Sequence, residues 1–160
     1  MTALFDARST AEAAVERLVE SGLDRADISV LMSKETGGRE FGFTEATKAP
    51  EGAATGAAVG GVLGAIAAGL VAIGTIAAPG IGLLAAGPII AALAGAGAGG
   101  AAGSLIGALV GAGIPEHEAK FYSDALEAGG ILVAVQTTGD RADAVERFLR
   151  ENGGKSVRSK

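Results

Sequence analysis

Cysteine and tryptophan are absent from the 160 residues, so disulfides, thiolate nucleophiles and sulfur ligands are excluded from the outset. Aromatics are scarce as well: Phe5, Phe41, Phe43, Phe121, Phe148 and Tyr122 make up 4% of the chain. A clustered basic surface is also missing. Thirteen basic residues face eighteen acidic ones, for a net charge of −5, which argues against a nucleic-acid partner. The start MTALFDARST has no charged stretch followed by an apolar run, so no cleavable secretory signal is expected and a cytoplasmic start is favoured.

Catalytic constellations are equally thin. His117 is the single histidine, set between Glu116 and Glu118 at a predicted helix start. Acidic residues suit a helix N-terminus, and a metal would want more ligands than these. Gly37-Gly38 does not have the form of a phosphate loop. Gly95, Gly97 and Gly100 resemble a dinucleotide fingerprint only in spacing, since no strand precedes them. Ser104, Thr55 and Thr75 have no base nearby in sequence to activate them. The expectation is a chain without enzyme activity, cofactor or metal.

What the chain does contain is glycine, 27 residues of it, and a long silence in charge: positions 52–115 carry none. This run divides the chain into blocks 1–33, 34–51, 52–115 and 116–160. In the first block, residues 2–6 and 28–33 have strand character. Between them, Ser9 and Glu12 form an S-x-x-E capping box opening a helix. Ala11, Ala14, Val15, Leu18 and Val19 share one face of it, and Gly22 closes it. Residues 34–51 read as a polar linker. In the last block Pro115 opens a helix that Gly129-Gly130 ends, and residues 131–138 form a strand apolar on both faces, hence central. Asp140 then caps a helix burying Ala144, Val145, Phe148 and Leu149, and residues 155–158 add an edge strand.

The outer blocks thus give βαβ, an insertion with one extra helix, then βαβ. That order predicts an α+β fold, a ferredoxin-like sandwich with two helices on one face of an antiparallel sheet. The insertion replaces a tight hairpin between the inner strands, so its two feet are expected close together.

Within 52–115 the glycines are in register. Gly52, Gly56, Gly60 and Gly64 recur every fourth residue, as do Gly95, Gly99, Gly103, Gly107 and Gly111. Positions four apart stack on one helix face, leaving a groove in which backbones approach closely. Two helices, roughly 53–77 and 89–112, fit around a turn PGIGLLAAGP that Pro79 and Pro88 bracket. Each would be on the order of 35 Å long, enough to cross a hydrocarbon core. This predicts a glycine-zipper α-helical hairpin in the cytoplasmic membrane, self-associating as a homo-oligomer, with both termini cytoplasmic. Pro50, Glu51, Gly113 and Pro115 mark its boundary. Lys34, Arg39 and Lys48 suit a cytoplasmic foot, and Phe41, Phe43, Phe121 and Tyr122 an aromatic belt at the base; none lies at the tip. The alternative is a soluble homo-oligomer whose hairpins form the assembly core, with a ligand pocket between protomers.

Three stretches carry a family resemblance: ALFDARSTAEAAVERLVESGLDRADISVL, KAPEGAATGAAVGGVLGA and GIPEHEAKFYSDALEAGGILVAV. Together they resemble the general stress protein 17M-like, or heat- and low-temperature-induced, bacterial stress families. The resemblance implies a ferredoxin-like domain with an inserted Gly-rich hairpin, and no reaction. Carried over residue by residue, it marks Pro50, Glu51, Gly52 and Gly56 at one end of the insertion. At the other it marks Gly113, Pro115, Glu118, Ala119, Tyr122, Gly129 and Gly130, all in architectural roles. More distantly, the plan is similar to the membrane-anchored subunit of the alternative quinol-oxidising complex. The haem-binding C-x-x-C-H motif of that complex is missing here.

Overall fold

The structure is a computed structural model that describes residues 1–41, 76–78, 81–86, 105–111, 114–139 and 141–158. Its elements run β1 (Thr2–Phe5), α1 (Arg8–Glu20), a 3₁₀ turn (Arg25–Asp27), β2 (Ile28–Ser33) and α2 (Lys34–Phe41). From the insertion come β3 (Ile76–Ala78), β4 (Ile81–Ala86) and α3 (Leu105–Gly111). Then follow α4 (Glu116–Glu127), β5 (Ile131–Val135), α5 (Arg141–Glu151) and β6 (Lys155–Arg158). The fold is mixed α+β around one antiparallel sheet of order β3-β4-β2-β5-β1-β6.

Alternation along the strands decides the layers. Ala3 and Phe5, Ile28, Val30 and Met32, and Ile131, Val133 and Val135 point to one face. There they form a cluster with Ala11, Ala14, Val15 and Leu18 of α1 and Val145 and Leu149 of α5. The intervening residues Leu4, Leu31, Leu132 and Ala134 point to the other face and are buried too, under α4. Ala119, Tyr122, Ser123 and Leu126 form the buried stripe of α4. The extra helix therefore covers the second face, and the sheet is sandwiched between two helical layers. Because β5 lies between β1 and β2 with both faces covered, all five of its residues are buried.

Local chemistry explains the ends. Helix α1 stops where Gly22 turns to φ +93°, with Gly22 N–H bonding Val19 O and Leu23 N–H reaching back to Leu18 O. Its start differs from the expected capping box. Arg8 is already helical, which moves the cap to Ala7 and leaves Ser9 exposed in the first turn. Glu12 pairs with Arg8 instead, at 3.5 Å. In α5, Val145 and Leu149 centre the buried face one step round from the expected stripe, so Ala144 is exposed and Phe148 only half-buried. Asp140 lies outside the described residues.

Two larger differences concern the insertion. Residues 34–41, expected as linker, form α2. Residues 76–78 and 81–86, expected as a helix end and a turn, are strands: β4 pairs with β2 from Val30↔Ala86 to Ser33↔Leu83, and β3 pairs with β4. An apolar run of Ala, Gly, Ile and Leu carries little to separate buried helix from buried strand, and the free edge of β2 supplies a ladder.

Candidate functional site: the root of the insertion

The insertion leaves the domain through α2. Ser33 ends β2 and caps the helix, its Oγ accepting the Thr36 N–H at 3.1 Å and lying 2.9 Å from Thr36 Oγ1. Both side chains are buried and hydrogen-bond each other there. Helix α2 is KETGGREF, in which two adjacent glycines each cost roughly 1 kcal/mol relative to alanine. Eight residues of that composition do not hold a helix alone. What holds this one is docking: it packs against β2 and β4, and its far end is anchored in the core. Phe41 is fully buried in the first-face cluster, worth about 1.5–3 kcal/mol.

Arg8 closes over that end. Its guanidinium sits 4.9 Å from the centroid of the Phe41 ring, Nη1 donates to Glu40 O at 2.6 Å, and Nε lies 3.5 Å from Glu12 Oε2. The ring contact is worth about 0.5–2 kcal/mol. Nε itself is buried and makes no hydrogen bond among the described residues. On its other flank α2 approaches the turn after α4: a Cβ at Gly129 would stand 3.3 Å from an Arg39 guanidinium nitrogen.

The returning side is built differently. Helix α3 packs on α4. Leu109 is buried, and its carbonyl accepts the Ile114 N–H at 3.0 Å. Pro115 stands at the N-cap of α4, one position earlier than expected, where its carbonyl accepts from Glu118 and Ala119 at 2.9 Å each. Tyr122 OH donates to Ser156 O at 3.3 Å and lies 3.0 Å from Thr2 Oγ1. The helix ends with Gly129 at φ +99°, and a Cβ on Gly130 would come within 2.8 Å of Ala125 O. The outgoing foot thus contributes to the first face, while the returning foot packs over the second.

The expected site residues fare unevenly. Gly107 and Gly111 lie in α3, and Pro115 caps α4. Gly52, Gly56, Gly60, Gly64, Gly95, Gly99, Gly103, Pro50, Glu51 and Gly113 lie outside the described residues. Of the aromatic belt, Phe41 and Tyr122 are consumed by the two cores, Phe43 lies outside the described residues, and Phe121 is 47% exposed. Phe121 and Val110 are the exposed large hydrophobics among the described residues. His117 projects into solvent 3.8 Å from Glu118 Oε1, and no group of metal-ligating side chains occurs among the described residues. Among those residues, too, no helix is long and apolar enough to cross a membrane. Arg8 was not legible as part of this root, because its partners Glu40 and Phe41 are more than thirty positions away. The S-x-x-T pattern of Ser33 and Thr36 was the one local sign of α2. The chain matches no protein-family model, no curated protein and no solved structure.

Proposed function

We propose that this chain is a non-enzymatic association module, a ferredoxin-like domain whose glycine-rich segments pack against those of further copies to form a homo-oligomer. The order β2-β5-β1-β6, with α1 and α5 on one face, supports the ferredoxin-like reading. The observation that carries the functional reading is the pairing of β4 with β2. It ties the middle of the uncharged run to the sheet, so that two arms begin and end at the domain: 42–75, uncharged from position 52, and 87–104. An arm of 18 residues that leaves and returns has about nine each way, roughly 13 Å as helix. The longer arm reaches roughly 25 Å on the same count, before its polar start is subtracted. A hydrocarbon core is about 30 Å thick. Glycine grooves on arms of that reach suit contact between copies at the β3 side of the sheet.

A second reading, membrane insertion with cytoplasmic termini, is favoured by the 64 uncharged positions, by exposed Val110 near their end and by exposed Phe121 in the helix that follows. It requires β4 to leave β2. Under either reading the family resemblance suggests a role in bacterial stress. Expression without detergent, an alkaline carbonate wash and high-speed sedimentation discriminate between them. A monodisperse assembly in the supernatant is the expected result; recovery in the membrane pellet overturns the first reading in favour of the second.

A further inference from the structure

We propose that α2 is a releasable strap, clasped shut by Arg8 over Glu40 and Phe41, whose opening frees the insertion's outgoing end from the domain. The inference concerns this element alone and stands whichever environment the arms occupy. Gly37 and Gly38 make α2 too weak to persist undocked. Its first turn is fixed by the buried Ser33–Thr36 pair, which continues β2 and stays with the sheet. Its last turn is held by burial of the Phe41 ring and by the contacts of Arg8. Arg8 belongs to α1, so the clasp joins two elements that the backbone does not hold together. The guanidinium side chain is about one-fifth exposed, and its Nε meets Glu12 Oε2 at 3.5 Å without forming a hydrogen bond. A cation so placed regains water readily when it lets go. The hinge then falls at the glycine pair, between a fixed first turn and a last turn held from outside.

Hydrogen exchange on the intact chain tests this. In the wild type the amides of 38–41 should exchange through a local opening with weaker denaturant dependence than Leu132 and Val133 of β5. Arg8→Met keeps the aliphatic stem and should speed exchange at 38–41 about ten-fold, leaving β5 unchanged. Gly37→Ala with Gly38→Ala should slow it by a similar factor. The strap is overturned if 38–41 and β5 open together with one denaturant dependence in the wild type, or if Arg8→Met leaves α2 exchange unaltered. Should Arg8→Met not fold, the wild-type comparison decides alone.

Discussion

Ser156 has φ +49°, which among the described residues sets it apart from every other residue that is not glycine. It sits where β6 slips against β1: Thr2 faces Arg158 and Leu4 faces Lys155, so three steps on β6 match two on β1. This is a β-bulge, and it bends the edge strand away from further pairing. Two of its carbonyls are also taken, Ser156 O by Tyr122 and Val157 O by Arg150 at 3.2 Å. The left-handed conformation is costly for serine and free for glycine. Ser156→Gly is therefore expected to stabilise the fold by about 0.5–1 kcal/mol in urea denaturation. Removing the Tyr122 hydroxyl tests the opposite side of the same strand. Tyr122→Phe leaves Thr2 Oγ1 and Ser156 O without that partner, and should cost about 1–2 kcal/mol. Gly154 is tighter still, since a Cβ there would stand 2.6 Å from Leu149 O. Gly154→Ala should cost on the order of 2 kcal/mol, read as a fall in the urea midpoint with unchanged slope.

Strands β3 and β4 and helix α2 are the elements that sequence patterning missed, and for opposite reasons. In 76–86 apolar residues are so continuous that neither a period of two nor one of 3.6 emerges. In 34–41 the glycine pair argues against a helix, and docking of Phe41 overrides it. The outer blocks were legible because each helix there has an amphipathic stripe and a glycine stop: Gly22, Gly129 and Gly153 all adopt positive φ. The centrality of β5 was legible from ILVAV alone, which leaves no polar face for solvent. A chain without cysteine allows the β4–β2 register to be tested cleanly. Leu31→Cys with Ala85→Cys places two thiols on directly opposed positions, and a disulfide should form under mild oxidation. Leu31→Cys with Ile81→Cys, four residues out of register, should not crosslink. Equal yields from the two pairs would remove β4 from the sheet.

The proposed assembly rests on positions outside the described residues, and there the glycine spacing itself is the guide. Gly99→Leu with Gly103→Leu fills two successive steps of one groove, so oligomer mass by light scattering should fall toward that of the protomer. An unchanged mass would separate association from the glycine series. The root of the insertion was half visible in advance: the boundaries at Pro115 and Gly129-Gly130 carry turn chemistry, whereas the clasp of Arg8 on Phe41 exists only after folding. Strands β1 and β2 do not touch each other; β5 stands between them, with Thr2 opposite Ala134. A ribosome delivering about 5–20 residues per second therefore needs roughly 5–20 s between β2 and β5. The uncharged run is made within that interval, ahead of the strand that joins β1 to β2, so its synthesis precedes completion of the sheet.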